Sequence, residues 1–202
     1  MSDMEEYLRP SEVIDYNNPS VSAKAKELAE GIDDTVLIAK RCFEWVRDHI
    51  QHSMDYKINP VTCSASDVLR EGTGFCLAKS HLLAALLRAN SVPTGLCYQR
   101  LSKNEDGPPF CLHGLNAVYL PEFGWYRIDP RGNKEGVDAQ FCPPAEKLAY
   151  QPHFDGEADL PEIWPDPLPQ VIKSLRTYQT YDSFWENLPD IEIIKISQKK
   201  GV

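Results

Sequence analysis

Apolar residues recur at spacings of three and four through Val36, Ala39, Phe43, Val46 and Ile50, which predicts a helix with one buried face. Asp33 or Asp34 stands where such a helix needs a cap. Upstream, Ser22–Glu30 is built of alanine, leucine and charged residues that favour helix, and Gly31 separates the two segments. Trp45 is expected on the flank of the core. Residues 53–71 read mostly as a connecting loop around Pro60. Ser66–Arg70 forms at most a short helical turn before the Gly72-Thr73-Gly74 break. A central helix is predicted from about Phe75 to Asn90. Phe75, Lys79, Leu82, Leu83, Leu86 and Asn90 make its stripe, Ala78, Ala85 and Leu87 widen the buried surface, and Ser91-Val92-Pro93 ends it.

The periodicity then changes to that of strands, at about Thr94–Leu101, Leu112–Leu120 and Gly124–Asp129. Pro121-Glu122-Phe123-Gly124 supplies a turn, so the last two strands are expected to pair as an antiparallel hairpin. His113 and Asp129 each lie about one strand's length from that turn. Pairing therefore brings them together at the open end of the hairpin, with the register left open. Seven prolines between Pro143 and Pro169 argue against a regular helix or central strand there and suggest an arm or lid. Gln170–Arg176 is expected to be a last short helix, with Tyr178, Tyr181, Phe184 and Trp185 anchoring the tail. The sum is an α+β fold, a central helix packed on an antiparallel sheet, in a single domain spanning 1–202.

Composition narrows the function more than the fold. The formal net charge of −9 repels polyanions and argues against a nucleic-acid partner. Lys199-Lys200 reads as a solvated tail. The acidic start, Met1 to Tyr7, has no apolar stretch of a secretory leader, and no apolar run is long enough for a membrane span. A cytoplasmic location without membrane contact is the expectation. There the six cysteines, Cys42, Cys63, Cys76, Cys97, Cys111 and Cys142, are expected to be free thiols. No Cys-x-x-Cys occurs, and Cys111-x-His113 is too closely spaced for a usual ligand pair, so neither metal nor cofactor is expected.

The candidate chemistry lies in three segments. Cys76 opens the central helix after Gly72-Thr73-Gly74-Phe75, where free helical N–H groups lower a thiol pKa and can hold an oxyanion. The two glycines suggest close backbone approach to a substrate. His113 is the candidate base and Asp129 the group that orients it. His81 lies on the same helix as Cys76, away from its mouth, and is a poor partner. His49 and His52 end the preceding helix and could approach the site, and His153 is a further competitor. The arrangement points to a cysteine-nucleophile acyl-transfer enzyme.

Gly-x-Cys opening a helix that ends Leu-Leu-Arg-Ala-Asn-Ser-Val-Pro, followed by Leu-His-Gly-Leu-Asn-Ala-Val-Tyr-Leu and Gly-Trp-Tyr-Arg-Ile-Asp-Pro, resembles the core of the transglutaminase-like superfamily. Phe43–Ile50 and Ser64–Leu69 resemble its lead-in, and the likeness covers roughly residues 36–133. The resemblance implies a papain-like fold with Cys76, His113 and Asp129 as a triad, acting on a peptide, protein or small amide through a thioester. Two departures stand out. Gly114-Leu115 replaces the usual alanine and tryptophan, and Arg131 follows Asp-Pro where threonine is common. Hydrolysis, as a protease, amidase or deamidase, is the expectation because water is abundant, with transfer to an amine and a non-catalytic peptide-binding or scaffold module on the same fold as alternatives. Acyl transfer of the arylamine acetyltransferase kind is disfavoured by the missing Arg-Gly-Gly lead-in.

Overall fold

Local capping sets most of the helix boundaries. The computed structural model describes residues 4–104 and 106–192, and the tail residues Lys199 and Lys200 lie outside them. Helix α1, Pro19–Ala29, starts three residues before the expected Ser22 because Pro19 is preorganised for the first turn and Asn18 caps it by accepting from the Ser20 N–H. Helix α2 is Thr35–His49, and Asp34, not Asp33, is its cap, accepting from Val36 N at 2.7 Å and Leu37 N at 3.1 Å. Trp45 lies half-buried on the flank of the core.

Residues 53–71 correct the sequence reading. A two-residue strand β1, Gln51–His52, leads into helix α3, Ser53–Tyr56, and helix α4 runs over Ala65–Glu71. Only 57–64 is loop. Ser64 and Asp67 form a reciprocal capping box that starts α4 at Ala65, one residue before the expected Ser66. Gly72, in the left-handed region at φ +67°, ends it. Strand β2, Thr73–Gly74, then pairs in parallel with β1, setting His52 opposite Gly74.

Helix α5, Cys76–Ala89, has Phe75 and Asn90 at its two caps. Every residue from Leu77 to Arg88 is buried, so the helix shows no solvent face and not merely a stripe. Helices α1, α2 and α4 pack on one side of it and the sheet on the other. Lys79 is fully buried in this sandwich, and its Nζ donates to the carbonyls of Arg47 (3.4 Å) and Ile50 at the end of α2. Burial and repulsion from Arg131 lower its pKa from about 10.5 to about 7.

The sheet contains β3 (Thr94–Ser102), β4 (Phe110–Leu120) and β5 (Gly124–Ile128), with the expected turn between the last two. Beyond them β6 (Gln140–Cys142) and β7 (Ala145–Lys147) form a separate hairpin. The proline-rich arm does carry regular structure, but only short pieces. Besides β7 it contributes β8 (Ala158–Asp159), which adds to the free edge of β3 and gives the order β5-β4-β3-β8. Leu148 and Ile163 of the arm pack on Cys97, Leu115 and Ala117, covering the sheet face that α5 does not. Helix α6 spans Pro169–Thr177, and a further helix, α7, Tyr181–Glu186, places buried Phe184 edge-on to Phe75 at 4.5 Å. Among the described residues no helix is long and apolar enough to cross a membrane.

One contact fixes where α5 meets the sheet. A Cβ added to Gly114 of β4 would lie 2.8 Å from Leu77 Cδ2 and 2.9 Å from Leu77 Cα. Backbone cannot yield as a side-chain tip does. Gly114→Ala should therefore destabilise the fold by about 1–3 kcal/mol, read as a lower urea midpoint. Lys79 provides a second test. Between about pH 7 and 10.5 the unfolded chain holds a proton on Lys79 that the native chain does not, so stability from this group rises with pH. The unfolding free energy of wild type minus that of Lys79→Met should increase from pH 7 to pH 10, by up to about 1.4 kcal/mol per unit. A flat difference would contradict the lowered pKa.

Candidate active site

The first residue of α5 is Cys76, so its sulfur sits at the positive end of a helix whose first N–H groups have no partner inside it. The β4–β5 register pairs Asn116 with Ile128, and Asp129 is the next residue. This register lets His113 Nε2 meet Asp129 Oδ2 at 2.7 Å, with both side chains buried. With Nε2 committed to Asp129, the other face of the ring serves the Cys76 thiol, with which His113 is hydrogen-bonded. The structure thus brings together all three residues singled out in the sequence.

Backbone N–H groups complete the arrangement. Asp129 accepts from Arg131 N on Oδ1 and from Ala149 N on Oδ2, each at 3.1 Å. The Gly114 N–H donates to the Cys76 thiol. Burial opposes charge on every member, yet the pairing outweighs it. Asp129 is held below the usual carboxylate range by His113 and the two N–H donors, despite its desolvation. His113 is pushed well above the usual imidazole range: desolvation lowers it, but Asp129 and the thiolate of Cys76 raise it more. For Cys76 desolvation is again the largest single effect and raises the pKa, while His113 and the Gly114 N–H together bring it below that of an ordinary thiol.

The other buried thiols show what happens without such partners. Burial pushes Cys42 up to about 12, Cys63 to about 11, and Cys97 and Cys111 to about 12. Cys76 alone among these five moves the other way.

Of the competing histidines, His81 is turned away, its Nδ1 2.7 Å from the Cys63 carbonyl. His49 stacks on Trp45, and His153 lies exposed on the arm beside Glu157. His52 does approach. The β1–β2 pairing sets it opposite Gly74, its ring meets Phe75 edge-on at 5.6 Å, and its buried Nδ1 has no hydrogen-bond partner among the described residues. Burial, reinforced by Arg131, holds it neutral.

Arg131, the unusual residue after Asp-Pro, ties the site to α3. Its guanidinium makes a bidentate pair with Asp55 at 2.5 and 2.9 Å, and its own N–H holds Asp129. Tyr150 from the arm stands edge-on over the His113 ring at 5.2 Å, fixed through its carbonyl by Gln99 Nε2 at 3.2 Å. Sequence reasoning missed Ala149, Tyr150 and the Gly114 N–H. Two act through backbone groups that leave no mark in residue type, and Tyr150 sits in a proline-rich stretch with no periodicity. Gly72 and Gly74 have structural roles: Gly72 terminates α4, and a Cβ at Gly74 would press on Thr62 and Ala78.

Residues 22–130 match the model of the transglutaminase-like superfamily. A search of curated proteins yields no significant match. Among solved structures, a candidate cysteine protease from Cytophaga hutchinsonii is similar at 22% identity and a TM-score of 0.53, covering 65% of this chain and 43% of that one. The periplasmic domain of TgpA from Pseudomonas aeruginosa is similar at 20% identity and a TM-score of 0.45, covering 61% of this chain and 45% of that one. This chain spans less than half the length of either structure. The family match spans more than half of the present chain and takes in the Cys76, His113 and Asp129 segments, and by it the chain belongs to the transglutaminase-like superfamily.

Proposed function

We propose that the protein is a cysteine-nucleophile enzyme that hydrolyses amide bonds through a thioester, as a protease, amidase or deamidase. The observation that carries this reading is the convergence of Cys76 at the start of α5 with the His113–Asp129 pair, whose Nε2 and Oδ2 are 2.7 Å apart; in keeping with it, burial raises four other thiols while His113 and the Gly114 N–H lower Cys76. A buried ion pair of thiolate and imidazolium is poised for attack and serves no packing purpose that a neutral cysteine would not serve better. The fold likeness to a candidate cysteine protease is in keeping with this.

The Cys76 thiolate attacks the carboxamide carbon, and the carbonyl π electrons move onto oxygen. The oxyanion is held by the free N–H groups at the start of α5, the Cys76 N–H foremost. His113 gives its proton to the leaving amine as the C–N bond breaks, and the thioester remains. Neutral His113 then takes a proton from water, whose oxygen attacks the thioester and releases the acid and the thiolate. Asp129 orients the ring and stabilises its charged form throughout. No cofactor enters the cycle. Water, the most abundant nucleophile, is the acceptor in this reading.

Alkylation of Cys76 by iodoacetamide, followed by peptide mapping against pH, tests the core of the reading. The thiolate exists above a lowered Cys76 pKa, and its imidazolium partner is lost only at alkaline pH. Labelling should therefore be fast well below the free-thiol pKa of about 8.5, and His113→Ala should return the profile to that of an ordinary thiol. A wild-type profile already like an ordinary thiol would favour a peptide-binding module instead.

A further inference from the structure

Among the described residues, the first half of β4 has a strand partner on one side only. β3 pairs with it from Phe110 to Val118, whereas β5 joins only from Asn116 onward. Between Phe110 and Leu115 no described strand pairs with the edge facing away from β3, and alternate residues direct their backbone N–H groups into it. Gly114 is one of these, and its N–H goes to the Cys76 thiol. Leu112 is the next along the edge, and its N–H donates to the carbonyl of Pro189 at 2.7 Å. Two residues of strand separate those donors by about 7 Å. The segment after α7 therefore lies on the same edge as the nucleophile, one residue pair away.

Side chains hold it there. Asp190 makes a bidentate pair with Arg100 at 2.7 and 2.6 Å, and the Arg100 guanidinium rests on the ring of Phe110, 4.1 Å from its centre. Leu188 and Ile191 are half-buried against the core. Ile191 also lines a groove of about 460 Å³ with Leu160, Trp164 and Leu168 of the arm.

We propose that the open edge of β4 from Phe110 to Gly114 is the groove for an extended polypeptide substrate, and that Leu188–Glu192 fills it at rest as a self-inhibitory strap. This rests on the nucleophilic reading of Cys76. Recognition through an edge N–H needs only a backbone carbonyl, which every extended polypeptide presents, so the chain's own segment and a substrate compete for one donor. The tethered segment holds the advantage of high effective concentration, and the Arg100–Asp190 pair sets how firmly it stays.

The test compares two thiol reagents on the full-length protein, iodoacetamide and an extended peptidyl vinyl sulfone. Asp190 is a surface residue, so Asp190→Ala should fold normally. The variant should react about tenfold faster with the peptidyl reagent and within about twofold of wild type with iodoacetamide, and Asp190→Glu should restore the wild-type rate. An unchanged or slower peptidyl reaction in Asp190→Ala, beside fast iodoacetamide labelling, overturns the strap. Slow iodoacetamide labelling in wild type and variant alike overturns the nucleophile on which it rests. Dependence on Asp190 tells the two failures apart.

Discussion

Everything at the candidate site depends on how closely the first turn of α5 approaches β4. Leu77 rests on Gly114 so tightly that no Cβ fits between them. That approach puts the sulfur of Cys76 within reach of the Gly114 N–H and the His113 ring, neither of which lies on its own element. The usual alanine and tryptophan after the histidine are replaced here by glycine and leucine. The glycine has a local cause in this packing, and Leu115 turns to the opposite face of the sheet, under the arm.

Electrostatics at the site works against burial, and the balance is set by neighbours. Three ionisable side chains are removed from water where each would favour neutrality, and mutual pairing reverses that preference in all three. The pairing is directional. Two backbone N–H groups and one imidazole converge on Asp129, so the ring of His113 has little freedom to turn. Lys79, one turn further along α5, pins the same helix to the end of α2. The helix mouth is thus fixed from the sheet side and from the helix side.

Chain beyond the matched family core finishes the site. The proline-rich arm contributes the Ala149 N–H and the Tyr150 ring, so it is a wall of the site as well as a cover for the sheet. The segment after α7 reaches the open edge of β4 from the other direction. Residues 143–192 therefore surround a centre whose reactive members all come from 76–129.

The central helix, the hairpin and the Cys76, His113 and Asp129 set were legible because each follows from local rules: a 3.6-residue period, alternation across a turn, and a thiol at a helix start. Capping was partly legible, since Asp34 stood in view while the Ser64–Asp67 box was passed over in a stretch read as loop. Other features had no local signature. Hydrogen-bond register set how Asp129 meets His113, parallel pairing of two-residue strands brought His52 to the helix mouth, and long-range packing laid Tyr150 over His113 and Pro189 on the edge of β4. Sequence alone determined the central helix, the main strands and which side chains could react, because these depend on neighbours along the chain. Tertiary structure alone decided that partners lower the pKa of one thiol while burial raises four others, because a pKa follows from the charges and donors that folding brings within a few ångströms.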